Sequence, residues 1–167
     1  MPLRAIRADI TTLPVDAIVN AANEHLAQGG GVCGAIFRAA GAEDLAAACR
    51  AVAPCPTGQA RITPGFALPA KHVIHAVGPV WHGGGAGEAA LLAACYRESL
   101  RLLREAGGRS IAFPAISTGI FGYPLDQATR IAVAAVREDI ARHGEVDVTF
   151  ACFDQQTLDT YTKEIGP

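Results

Sequence analysis

Lysine is almost absent from this chain: Lys71 and Lys163 are the only two in 167 residues, and 14 basic against 16 acidic groups leave a formal charge of −2. Without a basic excess there is no electrostatic footprint for non-specific nucleic-acid binding, so none is expected. No apolar run approaches the roughly 18 to 20 residues of a membrane span, and Met1-Pro2-Leu3-Arg4 leads into alternating residues rather than a signal-peptide core. A soluble, cytoplasmic monomer is the expectation. The five cysteines, Cys33, Cys49, Cys55, Cys95 and Cys152, are odd in number and contain no Cys-x-x-Cys pair, which argues for reduced thiols and against a disulfide framework or a metal site. No glycine loop ends in Gly-Lys-Ser or Gly-Lys-Thr, so there is no Walker loop. Ser117 has neither a partner base nor the Gly-x-Ser-x-Gly context of a serine hydrolase.

What is present is apolar and punctuated. Half of the residues are hydrophobic, enough for one substantial core, and residues 1–167 read as a single domain. Leu3 to Ala8, Asp16 to Asn20, Arg61 to Thr63, His72 to Val77, Ile111 to Phe113 and Val146 to Phe150 read as strands. Val32 to Ala40, Glu43 to Val52, Glu88 to Glu105, Leu125 to Arg142 and Thr157 to Ile165 read as helices, with Gly41 as a helix stop. Such alternation predicts an α/β fold with a mostly parallel or mixed sheet covered on both faces. Ligands of such sheets bind beyond the carboxyl ends of the strands.

Two glycine loops each run from an apolar strand into a helix. The first is Asn20-Ala21-Ala22-Asn23 leading to Gly29-Gly30-Gly31-Val32-Cys33-Gly34; the second is Ser117-Thr118-Gly119-Ile120-Phe121-Gly122. A glycine loop that opens a helix presents unpaired N–H groups at the positive end of a macrodipole, which holds phosphate without lysine. Two loops suggest a diphosphate, although glycine also serves simply to permit turns. With no cation to neutralise developing charge, the phosphates are expected to be held rather than cut. Gly29, Gly31 and Gly34 also fit Gly-x-Gly-x-x-Gly, but the loop does not follow its strand directly and no acidic residue ends a second strand, unlike a dinucleotide fingerprint.

Asn20 and Asn23 end a strand where unpartnered amides are costly. Asn20 is read as structural and Asn23 as the better ligand candidate. Phe121 offers an apolar plate beside the second loop or else packs into the core. His72 and His75, three apart on a strand, point to opposite faces, so His75 is read as a hydrogen-bonded interior histidine rather than half of a metal pair.

Val15 to Asn23, Gly29-Gly30-Gly31-Val32, Arg38-Ala39-Ala40-Gly41, Val73-Ile74-His75-Ala76-Val77-Gly78-Pro79-Val80-Trp81 and Phe113 to Pro124 together resemble a macrodomain of the MacroD type, over nearly the whole chain. The resemblance implies a three-layer α/β/α sandwich with a mixed, largely parallel six-stranded sheet that binds ADP-ribose. It implies removal of mono-ADP-ribose from acidic residues of proteins, deacetylation of O-acetyl-ADP-ribose, or both, with no cofactor. ADP-ribosylated proteins are then the partners. A non-catalytic reader of ADP-ribose and an ADP-ribose 1″-phosphate phosphatase are the alternatives.

Carried over by motif, Asp9 and Ile10 read adenine, Phe153 packs on it with Asp154 beside it, and Asn23 binds the distal ribose. Gly31, Val32 and the backbone of Ser117, Thr118, Gly119, Ile120 and Phe121 hold the diphosphate. The catalytic set is Asn23, Gly31, Cys33 and Phe121. One position departs: the family usually has Asp after Gly-Gly-Gly-Val, proposed to orient or activate the attacking water, where this chain has Cys33. An ordinary thiol, with a pKa of about 8.5, is a poor base near neutral pH. Cys33 is therefore read as a small residue lining the pocket in preference to a catalytic thiolate.

Overall fold

The structure, a computed structural model, describes residues 3–167; Met1 and Pro2, which belong to the segment on which the expectation about a signal peptide rests, lie outside the described residues. The strands are β1 (Leu3–Arg7), β2 (Ala17–Ala21), β3 (Ala60–Pro64), β4 (His72–Ala76), β5 (Ser110–Phe113) and β6 (Asp147–Cys152). The α-helices are α1 (Gly31–Ala40), α2 (Ala42–Val52), α3 (Glu88–Glu105), α4 (Leu125–His143) and α5 (Gln155–Ile165). One six-stranded sheet has the order β1-β6-β5-β2-β4-β3, with every pairing parallel except β3 against β4. The expected mixed, largely parallel sheet is what forms.

The two-residue period of β2 shows why both faces must be covered. Ala17 and Val19 enter a core with Leu92 and Leu100 of α3, Val136 of α4 and Tyr161 of α5. Ile18, between them, enters a second core with Ile36 and Phe37 of α1 and Leu45 of α2. The helices thus form two outer layers. In the first core Phe113 is fully buried between Tyr96 and Phe150, with ring centroids 4.8 and 6.1 Å away. Truncating such a ring to alanine costs about 3–5 kcal/mol.

Carboxylates set several element ends. Asp16 accepts hydrogen bonds from the N–H groups of Arg109 (2.7 Å) and Ser110 (3.1 Å), tying the start of β2 to the start of β5. The Arg109 N–H is the leading cause of a carboxyl pKa held below the usual range. Asp154 accepts from Thr157 N–H at 2.8 Å and so starts α5 at Gln155, two residues before the expected start. A short 3-10 helix at Ile10–Thr12, not anticipated from the sequence, is capped by Asp9 in the same way.

No helix among the described residues is long and apolar enough to cross a membrane. All five cysteines are buried and free of disulfides.

Candidate functional site

Five parallel strands deliver their carboxyl ends to one edge of the sheet, and each is followed by a segment of interest. In spatial order these are Asp9-Ile10 after β1, Phe153 after β6, the Ser117 loop after β5, the Asn23 to Val32 loop after β2, and Trp81 after β4. From β1 to β2 there are three strand spacings, about 14 Å in all at the usual strand separation. The central pair, β5 and β2, are hydrogen-bonded neighbours, with Ala17 opposite Ile111 and Ile18 opposite Ala112. The two glycine loops therefore leave the sheet side by side, from the place where successive connections diverge to opposite sides.

The first loop is held by local staples. Asn23 Nδ2 donates to the Ala27 carbonyl at 3.0 Å while its Oδ1 accepts from the Ala27 N–H at 3.1 Å. Glu24 accepts from the N–H and hydroxyl of Thr57, and its own carbonyl accepts from Cys55 N–H. The chain then enters α1 at Gly31, so the N–H groups of Gly31, Val32 and Cys33 lie in the helix's first turn, where no preceding carbonyl is in reach. Gly34 has to be glycine, because a Cβ there would stand 2.6 Å from the Gly29 carbonyl oxygen. Cys33 is buried in this turn, and its thiol donates to the Ala27 carbonyl at 3.8 Å.

The second loop is held mainly by backbone bonds and by its neighbour. Thr118 N–H and hydroxyl both donate to the Ala115 carbonyl, Gly122 N–H to Gly119, and Tyr123 N–H to Ser117. The N–H groups of Gly119, Ile120 and Phe121 donate to nothing among the described residues. Ile120 stands 97% exposed at the crest, whereas Phe121 is half-buried. Ser117 is buried with φ +69, a left-handed conformation unusual for a side-chain-bearing residue, and its hydroxyl lies against Gly78. A Cβ on Gly78 would come within 2.2 Å of Ser117 Oγ, so that glycine is required for the close approach.

Beneath the first loop is a buried polar cluster. Asn20 Nδ2 donates to His75 Nδ1 at 3.0 Å, which puts the ring proton on Nε2, facing Thr63 Oγ1 at 3.0 Å and Cys49 Sγ at 3.7 Å. Burial lowers the His75 pKa to about 4, and burial raises that of Cys49 to about 11, so both stay neutral. The interior histidine read from the sequence is present, and Asn20 is its structural partner. Asn20 Oδ1 and Ser117 Oγ are buried with no hydrogen-bond partner.

At the β1 and β6 end, Asp9 accepts from Thr11 N–H and hydroxyl, both on Oδ1. Ile10 is buried in the second core, whereas Asp9 is exposed. Phe153 is 93% exposed, an aromatic face with no protein covering it. Asp154 is engaged in capping α5, with the Thr157 hydroxyl the first cause of its lowered pKa. The residues predicted from the sequence thus fall along one edge, with the phosphate candidates at its centre. Sequence reasoning missed Thr63 and Cys49 beneath the first loop, the Glu24–Thr57 tie, and Glu88. Only Glu88 left a signal, an acidic residue in the first turn of a helix after a glycine run. A groove of about 680 Å³ along α3, lined by Arg97, Glu98, Arg101 and Arg104 among others, includes no residue of either glycine loop.

Comparison with known proteins agrees with this fold. The family model described as Macro domain matches residues 19–132. The Macro domain-containing protein CT2219 of Chlorobaculum tepidum is 58% identical over 165 residues, covering 98% of this chain and 95% of that protein. A Klebsiella pneumoniae protein named O-acetyl-ADP-ribose deacetylase is 53% identical over 163 residues, covering 95% of this chain and 93% of that one. The crystal structure of a Trypanosoma brucei macrodomain in complex with ADP-ribose superposes with a TM-score of 0.91 at 43% identity, covering 98% of this chain and 69% of that one.

Proposed function

Because the chain belongs to the macrodomain family, we propose that it is a single macrodomain that binds ADP-ribose and hydrolyses the bond between the distal ribose and an acyl group. The acyl group is a protein carboxylate in mono-ADP-ribosylated proteins or acetate in O-acetyl-ADP-ribose. The observation that carries the reading is the pairing of two amide-bearing loops on adjacent parallel strands. The N–H groups of Gly31 and Val32 face the diphosphate from one side, and those of Ser117 to Phe121 from the other. Dipoles fixed in advance substitute for the missing lysines. The name of the Klebsiella pneumoniae relative supports deacetylation as one of the reactions.

Asp9 and the Ile10 backbone read adenine at the β1 end, Phe153 supplies the aromatic face, and Asp154 fixes the start of α5 beside it. Asn23, with its loop already stapled, presents its remaining donor and acceptor capacity to the distal ribose. Phe121 closes over the same sugar, and Gly31 allows close approach of the backbone. Water adds its oxygen to the acyl or anomeric carbon, the ester C–O bond breaks, and free acid and a ribose hydroxyl leave. The substrate's own phosphate orients the water, and proximity supplies most of the acceleration. The Cys33 thiol donates to Ala27, which fits a lining residue rather than a base.

That same observation favours one second reading, a reader that binds ADP-ribose without turning it over. The test is incubation with a protein mono-ADP-ribosylated on glutamate, and separately with O-acetyl-ADP-ribose. Release of ADP-ribose or acetate under multiple turnover supports the hydrolase. Tight ADP-ribose binding with no release at enzyme excess leaves the reader.

A further inference from the structure

Behind the second glycine loop runs the segment Trp81 to Gly87, which joins β4 to α3 and includes Gly83-Gly84-Gly85. So much glycine leads one to expect a loose connection. Instead the segment is wrapped around one carboxylate. Glu88, only 1% exposed, accepts hydrogen bonds from the N–H groups of His82 (2.8 Å) and Gly84 (3.0 Å) on Oε2 and of Ala86 (2.7 Å) on Oε1. The His82 N–H leads these donors in holding the carboxyl at about 2, against the opposing effect of burial. Gly84, at φ +93, brings the backbone within contact of the Trp81 ring, where a Cβ would lie 3.0 Å from the indole edge.

The strap so formed grips the second loop at two points. Trp81 N–H donates to the Phe121 carbonyl at 2.8 Å, and its ring lies 4.6 Å from that of Tyr123, centroid to centroid. Tyr123 closes the loop through its own N–H to Ser117, and after burial the Glu88 charge is the next cause of its raised pKa. We propose that Glu88 is a positioning residue for the second phosphate loop: its buried carboxylate folds the His82 to Ala86 strap, and through Trp81 the strap fixes Phe121 and the amides beside it. Glu88 touches no ligand. It acts by setting where the Gly119, Ile120 and Phe121 N–H groups point, and the inference rests on those amides binding diphosphate as proposed above.

The near-isosteric Glu88→Gln variant is the test, since it retains a single oxygen where three N–H groups need two. Amide exchange followed by mass spectrometry is expected to accelerate in residues 117–123 while residues 23–34 exchange as in the wild type. Calorimetry is expected to show ADP-ribose binding about tenfold weaker, and AMP binding changed by less than about twofold. Trp81→Ala cuts the same chain of contacts one step later and should reproduce both effects, so it decides the matter if Glu88→Gln does not fold. Uniformly faster exchange, or unchanged exchange in 117–123, overturns the proposal. So does an equal loss for ADP-ribose and AMP. If the wild type binds no ADP-ribose, the functional reading falls, while the exchange pattern still decides whether Glu88 orders the loop.

Discussion

The two glycine loops leave adjacent parallel strands and each carries unpaired main-chain amides, yet they are built differently. The loop from Asn23 to Val32 is held by side chains of its own: Asn23 brackets Ala27, and Glu24 reaches Thr57. The loop from Ser117 to Gly122 has few such side-chain anchors; it is held from behind by Gly78, Trp81 and Tyr123. A self-stapled loop keeps its shape when its surroundings change. A propped loop keeps it only while the prop is intact, and substitutions far from the ligand should affect the second loop more than the first.

Gly78→Ala should disturb the second loop most. Its added methyl would sit 2.2 Å from Ser117 Oγ, and overpacking of this kind costs about 1–3 kcal/mol. Urea unfolding should show a loss near the top of that range, and calorimetry an ADP-ribose affinity at least roughly tenfold lower. Combining it with Ser117→Gly, which removes the hydroxyl and suits the φ of +69, should restore part of both losses. Loss of stability without loss of affinity would mean that the second loop is not the diphosphate's partner.

Acid breaks the other side. His75 sits under the first loop through Asn20, and its folded pKa of about 4 lies below the unfolded value of about 6.5. As pH falls through 6.5 the unfolded chain takes up a proton that the folded chain refuses, so stability decreases until the folded group titrates near 4. The loss should reach about 2 kcal/mol by pH 5, above the unfolded pKa values of Asp16 and Glu88, whose lowered carboxyls add their own loss only as the pH falls further. Urea midpoints measured between about pH 7 and 5 check this. A flat profile would show that His75 is not held neutral.

Asn23→Ala is the milder cut in the first loop. It removes two partly exposed hydrogen bonds, worth about 1 kcal/mol together after solvent competition, and should weaken ADP-ribose binding while AMP binding hardly changes. Cys33→Asp has the smallest expected effect on the fold and acts on the proposed hydrolysis. A carboxylate beside the first-turn amides should speed release of ADP-ribose from a glutamate-modified protein severalfold, as read by a release assay. An unchanged rate with intact binding would mean that the water is organised by something else.

The comparison also explains what the sequence revealed. The first loop was legible because its devices are local: glycines opening a helix, and an asparagine two residues beyond the end of β2. The mixed, largely parallel sheet followed from the alternation of strands with helices and from the family resemblance, whereas the order of its strands did not. The prop behind the second loop was not legible. Nothing in Gly83-Gly84-Gly85 says that three amides will converge on Glu88, because that convergence is made by the path of the chain from β4 into α3. Likewise the Thr63 and Cys49 contacts to His75 join β3, α2 and β4, which pattern reading along one element cannot connect. The 3-10 helix after β1 was missed because Asp9 and Thr11 form it through side chains rather than through an apolar period.

In the proposed function two sets of main-chain amides, one from each loop, close on one diphosphate. Amide-resolved NMR titration with ADP-ribose tests it most directly. Gly31, Val32 and Cys33 should shift together with Gly119, Ile120 and Phe121, along one saturation curve. Shifts confined to a single loop, or centred on the α3 groove, would contradict it.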